Sequence, residues 1–199
     1  MNAMNLLPLQ VTGLVTLAVV AAAVWIGAGD GAGRGALRRA VLLADRGITG
    51  LASVAACAAL AIATFAGFWQ VVARFATETP SIWSEALVRT SLIWMAFLGL
   101  GVALRTGALV SIDVAHRYTR GAVRATIEAA ALACSLSLMG VLFWFGWVMA
   151  ERVVFQEMAG LEVSMAWGYA AIPVGAVFAM VGALGHFLDR RSDDLEMAV

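Results

Sequence analysis

The sequence has little charge and few of the residue types that build the sites of soluble enzymes. Of its 199 residues, 13% are charged, against roughly a quarter in an ordinary soluble domain. It contains three prolines, two cysteines and two histidines, and all 13 basic residues are arginine. The hydrophobic share is 62%. Because so few polar groups cannot cover the surface of a soluble domain, we expect most of the surface to face lipid.

The scarcity of reactive residues excludes several functions. A formal net charge of zero gives no reason to expect nucleic acid as a partner. Cys57 and Cys134 lack CxxC spacing and a neighbouring histidine, while His116 and His186 lie in a loop and at a helix end, unsuited to holding a haem. There is no phosphate-binding loop and no HExxH or GxSxG motif. The sequence therefore predicts no catalytic residue, no cofactor and no metal.

Long uncharged intervals dominate the chain. A helix needs about 20 residues, at about 1.5 Å each, to cross about 30 Å of hydrocarbon. Four intervals reach this length: 1–29, 47–73, 129–150 and 163–185. A fifth, 90–104, suffices only if its helix begins earlier, with Thr79 as the cap and Pro80 in the first turn. We therefore predict an all-α, polytopic membrane helix bundle with five spans.

The first interval is expected to be an extra N-terminal transmembrane helix. It lacks the basic residues that begin a secretory signal. The glycine-rich residues that follow, 29–33, predict a flexible linker. The predicted organisation is the extra helix at 1–29, a cytoplasmic linker at 30–46, a four-helix membrane domain at 47–190 and a cytoplasmic tail at 191–199.

The arginines predict the orientation of the chain. Positive residues are retained on the cytoplasmic side of a membrane. Ten arginines lie in alternate connections and are assigned to that side: Arg34, Arg38, Arg39, Arg46, Arg105, Arg117, Arg120, Arg124, Arg190 and Arg191. The N-terminus is then outside and the C-terminus inside. Tryptophans near the predicted outer ends suggest a belt at the headgroups: Trp69, Trp83, Trp147 and Trp167.

Two arginines of the third span lie too close together along the helix for both to lie at the headgroups on opposite sides. Arg89 and Arg105 are separated by about 24 Å along a helix, less than the hydrocarbon thickness. At least one of them must reach the headgroups or pair with a carboxylate. Glu85, four residues before Arg89, lies on the same helical face and is the available intrachain partner.

Small residues also recur at helical spacing. One stripe repeats every four positions at Ala55, Ala59, Ala63 and Gly67, and another repeats every seven at Gly168, Gly175 and Gly182. Such stripes favour close helix contact, although an alanine-rich composition also produces them by chance. Pro173 cannot donate to the carbonyl of Tyr169, so we expect the last span to bend there.

The motifs of the third and last spans are typical of one family. The first runs through Arg74, Thr79-Pro80, Trp83-Ser84-Glu85, Arg89, Leu92-Ile93-Trp94, Phe97-Leu98-Gly99, Arg105, Gly107 and Asp113. The second is Met165-Ala166-Trp167-Gly168-Tyr169 followed by Ile172-Pro173-Val174-Gly175. Over roughly residues 40–190, the chain resembles the small membrane subunit of tripartite ATP-independent periplasmic (TRAP) transporters, the DctQ-like family.

The resemblance implies four core transmembrane helices with interfacial arm helices, in the bacterial inner membrane. The stretch between Arg105 and Glu128 suits either an arm on the cytoplasmic headgroups or a solvated loop. The implied partners are a large TRAP membrane subunit, which carries the sodium-coupled substrate site, and a periplasmic substrate-binding protein. Membrane lipids surround the chain. Ala108 stands where the family often has histidine.

The expected function is that of a non-catalytic scaffold subunit of a TRAP-type secondary transporter, in sodium-coupled uptake of an organic acid or similar solute. The residues expected in subunit contacts or structure are Trp83, Glu85, Arg89, Trp94, Gly99, Arg105, Gly107, Asp113, Gly168, Pro173 and Gly175. One alternative is a membrane anchor subunit of a redox or other enzyme complex, which the small-residue stripes fit equally well. Another is a homo-oligomeric transporter, which would need polar groups converging at mid-bilayer.

Overall fold

The computed structural model describes residues 7–27, 32–76, 81–107 and 122–196. These residues form six helices: α1 Leu7–Gly27, α2 Ala32–Ala76, α3 Ile82–Thr106, α4 Ala122–Arg152, α5 Ala166–Tyr169 and α6 Ala171–Glu196. Within them, the one extended pairing is an isolated antiparallel bridge between Glu157 and Ser164. The predicted all-α fold is confirmed.

Four stretches of helix in the described residues are long and apolar enough to cross a membrane: Arg39–Ala76, Ile82–Thr106, Thr126–Arg152 and Ala166–Asp189. They correspond to the four predicted core spans, which confirms the helical membrane bundle. Helix α1 has 21 residues, about 31 Å at 1.5 Å per residue, and it is apolar from Gln10 to Val24. Its crossing of the membrane as a fifth span stays a prediction.

Helix α6 is the centre of the bundle and packs against α1, α2, α3 and α4. Its residues Ala171, Ala176 and Ala179 have no exposed surface. Alanine at these positions removes side-chain bulk and lets neighbouring helices approach closely. The buried alanines of α6 therefore allow it to occupy the most crowded position in the described bundle.

Contacts between helices fix their relative directions. Gly67 of α2 faces Val88, near the start of α3, whereas Ala52 clusters with Leu98. Helices α2 and α3 therefore run antiparallel. By the same reasoning α4 is antiparallel to α6, since Gly146 lies against Ile172 and Leu132 clusters with Phe187. This alternation is what a chain that crosses back and forth requires.

The predicted small-residue stripe of α2 is used inside the chain. Ala63 is buried, Ala55 packs into the cluster around Leu98, and Gly67 faces Val88 of α3. Helix α2 makes its most extensive contact with α3. The stripe therefore brings these two helices together.

Helix α2 is much longer than a membrane span. Its 45 residues extend about 68 Å at 1.5 Å per residue, twice the hydrocarbon thickness. Residues 30–46, predicted as a linker, are helical from Ala32 and continuous with the second span. Alanine, leucine and arginine are strong helix formers, which explains the continuity. The domain boundaries themselves stay a prediction.

Helix α3 begins two residues later than predicted. Its N-cap is Ser81, which has an extended backbone (φ −87°, ψ 101°), and its first residue is Ile82. The prediction that Thr79 caps this helix was wrong, because the extended backbone of Ser81 separates it from the first turn; Thr79 and Pro80 lie outside the described residues. The Ser84 hydroxyl donates to the Ser81 carbonyl at 2.8 Å and steadies this start.

Four tryptophans lie toward the same end of the bundle, where α2 and α4 finish and α3 and α5 begin: Trp69, Trp83, Trp147 and Trp167. All four are exposed. An exposed ring of amphipathic side chains at one level suits the headgroup region. We call this the tryptophan end; its assignment to the outer side stays a prediction.

Candidate functional site

An ion network ties three helices together at the end of the bundle opposite the tryptophan end. Arg105, in the last turn of α3, forms salt bridges with Asp45 of α2 and with Asp189 of α6. Its Nη2 lies 2.9 Å from Asp189 Oδ2, and its Nε donates to Asp45 Oδ2. One guanidinium thus binds carboxylates from two other helices and fixes the position of all three.

Asp45 is the most deeply placed member of this network. Its side chain is 1% exposed, whereas Arg105 is 15% and Asp189 is 36% exposed. The Thr49 hydroxyl donates to Asp45 Oδ1 at 3.3 Å. A buried carboxylate is costly unless it is paired and hydrogen-bonded. Arg105 and Thr49 supply the counter-charge and the hydrogen bonds that the buried Asp45 carboxylate needs.

The residues predicted from the sequence include Arg105 but neither Asp45 nor Asp189. The sequence contains one indication of these partners. Each aspartate lies at the end of a predicted span, on the same predicted side of the membrane as Arg105. Their contact with one guanidinium depends on how α2 and α6 are placed beside α3, which spacing along the chain does not give.

Gly107 caps the C-terminus of α3, and His186 of α6 packs against it. Gly107 has a left-handed backbone (φ 66°), and its N–H donates to the carbonyl oxygens of Ala103 and Leu104. The ring of His186 lies against it, with Nδ1 3.1 Å from the carbonyl oxygen of Arg105. A Cβ at position 107 would lie 2.5 Å from His186 Cε1. Gly107 is therefore required both by its φ angle and by its neighbour.

Replacing Gly107 with alanine is expected to destabilise the protein by about 1–2 kcal/mol for the left-handed backbone, with a further steric cost from His186. Denaturant titration in detergent, followed by tryptophan fluorescence, would measure the loss. The double variant Gly107→Ala/His186→Ala should recover the steric part alone. Equal stability of the wild type and Gly107→Ala would contradict this assignment.

At the tryptophan end, α5 and the segment that precedes it contact α3. The indole Nε1 of Trp94 donates to the carbonyl oxygen of Trp167 at 3.0 Å. The Thr90 hydroxyl donates to Met158 Sδ at 3.3 Å. Gly160 approaches the backbone of Trp83 so closely that a Cβ there would lie 2.8 Å from its nitrogen. The predicted residues Trp83 and Trp94 are thus brought into one contact region.

Glu85 and Arg89 form an intrachain ion pair. Arg89 Nη2 lies 2.8 Å from Glu85 Oε1, and the two side chains are 61% (Glu85) and 71% (Arg89) exposed. The pair borders a groove of about 450 Å³ between α3, the segment at 158–165 and the start of α6. Exposed i,i+4 pairs contribute only about 0.3–0.5 kcal/mol, so this pair does little for the stability of the fold.

The predicted small residues of α6 lie against α3. Gly175 faces the backbone of Phe97, where a Cβ would lie 2.9 Å from its carbonyl carbon. Gly168 is buried and borders the groove. Pro173 is buried in the first turn of α6. The break between α5 and α6 falls at Ala170, next to the Tyr169 carbonyl. Pro173 cannot donate a hydrogen bond to that carbonyl because proline has no backbone N–H.

Two other predicted residues are placed differently. Gly99 is half-buried, and the position a Cβ would take there has no atom within 4 Å. Asp113 lies outside the described residues. The structure thus divides the predicted set between a packing group around Arg105 and α6 and a group at the tryptophan end around Glu85 and Arg89. Whether any of them contacts another subunit stays a prediction.

The arrangement of ionisable groups is structural in character. In the described part of the chain, no cluster of three or more His, Cys, Asp or Glu side chains could hold a metal ion. The Arg105 network consists of paired charges at a helix end, while the interiors of the four core spans carry no charged residue. These features define a polytopic helical membrane protein in which the Arg105 network holds three helices together.

Comparison with known proteins identifies the family. Residues 63–193, more than half of the chain, match the family described as the DctQ component of tripartite ATP-independent periplasmic transporters, and the chain belongs to this family. It is 29% identical over 110 residues to the sialic acid TRAP transporter small permease protein SiaQ of Vibrio cholerae. That match covers 55% of this chain and 64% of the relative, less than two thirds of its length.

Membership confirms the resemblance of the two motifs to the small TRAP permease. The chain is a TRAP transporter subunit and a multi-pass protein of the inner membrane. The match includes only the end of α2, residues 63–76, together with all of α3, α4 and α5 and all but the end of α6. It therefore includes Arg105 and Asp189 but begins after Asp45.

Proposed function

We propose that this chain is the non-catalytic scaffold subunit of a TRAP-type secondary transporter. It supports a large membrane subunit in sodium-coupled uptake of an organic acid or similar solute, delivered by a periplasmic binding protein. The observation that carries the proposal is the DctQ match over residues 63–193. The relative in Vibrio cholerae is named for sialic acid, an organic acid, which agrees with the proposed substrate class.

The placement of polar groups supports a scaffold role. A transport path across the bilayer needs ionisable or polar groups at mid-span. Here the charged residues of the four core spans lie toward their ends, and Arg105 is neutralised by carboxylates from two neighbouring helices. Such a bundle is suited to holding a fixed shape beside a subunit that moves.

One face of α3 is suited to contact the large subunit. Leu92, Ala96 and Gly99 recur every three or four residues and are exposed or half-buried. Around Gly99 the surface is smooth and open, since no atom lies within 4 Å of where its Cβ would be. A helix of the partner can approach closely against such a surface.

Affinity purification of the tagged chain from native membranes, with mass spectrometry, tests this function. We expect a large polytopic subunit at equal stoichiometry with the wild type, and a loss of at least about tenfold with Gly99→Leu, equivalent to about 1.4 kcal/mol. The matched control is Ala58→Leu, at an exposed position of α2. Recovery of the wild-type chain alone, or with a cofactor-bearing enzyme, would contradict the proposal.

A further inference from the structure

The groove beside Glu85 and Arg89 changes from polar to apolar along its length. At the tryptophan end it is bordered by the two charged side chains, and further along α3 it is lined by Ile93 and Phe97. Phe97 lies twelve positions after Glu85, about 18 Å along the helix axis. The groove therefore runs from the headgroup level toward the hydrocarbon centre, and it becomes apolar in the same direction.

The two charges are ordered along this axis. Arg89 is four residues further into the span than Glu85, about 6 Å deeper. In a phospholipid with an ethanolamine headgroup, the phosphate lies next to the glycerol and the ammonium lies outside it. A lipid standing in the groove would therefore place its phosphate near Arg89 and its ammonium near Glu85.

We propose that this groove binds a zwitterionic phospholipid of the phosphatidylethanolamine class. The Arg89 guanidinium carries five N–H donors, and the bond to Glu85 uses Nη2, so Arg89 can also donate to a phosphate. Glu85 accepts from the lipid ammonium. One acyl chain lies along Ile93, Phe97 and Ile172, which line the deeper part. The inference needs the chain to be in a membrane and does not depend on its transport role.

Charge complementarity selects this lipid over others. An anionic headgroup would satisfy Arg89 but would place negative charge beside Glu85. A choline headgroup has the same net charge as ethanolamine, but its quaternary nitrogen has no N–H to donate. Bonds to charged groups are the strong ones, so losing the bond to Glu85 is expected to weaken retention about tenfold.

The test uses the full chain, with the subunits that accompany it, in nanodiscs. The nanodiscs contain equal amounts of phosphatidylethanolamine, phosphatidylcholine and phosphatidylglycerol. After extraction in mild detergent, native mass spectrometry counts the lipids retained. We expect the ethanolamine lipid to be retained about tenfold over each of the others. Equal retention of ethanolamine and choline lipids would overturn the proposal.

Three variants locate the site. Ala86→Phe should fill the groove and abolish the preference. Glu85→Gln/Arg89→Gln should also abolish it, and because both side chains are exposed, this variant is expected to fold. Glu85→Arg/Arg89→Glu keeps an ion pair but reverses the order of charges, and it should lose the preference as well. An unchanged preference in any of these variants would overturn the proposal. So would a photocrosslink to a polypeptide instead of lipid from a benzophenone attached to Ala86→Cys, in a chain whose Cys57 and Cys134 are replaced by alanine.

Discussion

Replacing Arg105 with leucine is expected to lower the free energy of unfolding by about 3–5 kcal/mol, the cost of leaving a buried charge without its partner. Asp45 is 1% exposed and receives its charged bond from Arg105. Removing the guanidinium leaves that carboxylate without its counter-charge, and Asp189 loses its salt bridge as well. Denaturant titration in detergent, followed by tryptophan fluorescence, measures the change.

The control for this experiment is the same substitution at Arg89. Arg89 also forms an ion pair, but both of its members are exposed, so Arg89→Leu should change stability by no more than about 1 kcal/mol. A triple variant, Arg105→Leu with Asp45→Asn and Asp189→Asn, should recover part of the loss because no buried charge then remains unpaired. Similar effects at Arg105 and Arg89 would show that the network does not hold the bundle together.

Replacing Gly175 with valine is expected to separate α3 from α6 and to cost about 1–3 kcal/mol or more, as overpacking does in well-packed cores. The atoms that a side chain would meet include the carbonyl carbon and oxygen of Phe97, each 2.9 Å from the Cβ position. Backbone atoms cannot rotate away as side chains can, so the helices themselves must move. Unfolding in detergent reports the change in stability.

Gly99→Val is the matched control, since it makes the same substitution on α3, where the Cβ position has no atom within 4 Å. We expect it to change the stability of the isolated chain by less than about 0.5 kcal/mol, as is usual for a surface substitution. If Gly175→Val were as stable as Gly99→Val, the close packing of α3 on α6 would be disproved. Together the two variants separate packing inside the chain from contact with another subunit.

Several elements of the fold could be predicted because the bilayer imposes strict limits on sequence. An uncharged interval of about 20 residues has few alternatives to a membrane span. The spans at 47–73, 129–150 and 163–185 were therefore recognisable from charge alone, and the span that ends at Thr106 was recognisable after extension toward the N-terminus. The cap of that helix was missed because Thr79 and Ser81 are both good N-cap residues, and the observed backbone selects Ser81.

The candidate site was less predictable. The pairing of Glu85 with Arg89 is local, since residues four apart share a helix face, and the structure contains this pair. The pairing of Arg105 with Asp45 and Asp189 joins residues 60 and 84 positions apart. Identical motifs could have placed Arg105 toward lipid headgroups, toward a partner subunit or toward either aspartate.

The sequence by itself therefore determined the class of protein, the number of core spans and the family, because hydrocarbon excludes charge and family motifs are local runs of residues. The tertiary structure alone decided that α6 occupies the centre, that the small residues of α2 and α6 are used inside the chain, and that Arg105 joins three helices. The physical reason is that a helical period states which residues share a face, whereas the neighbour of that face depends on how all the helices pack together.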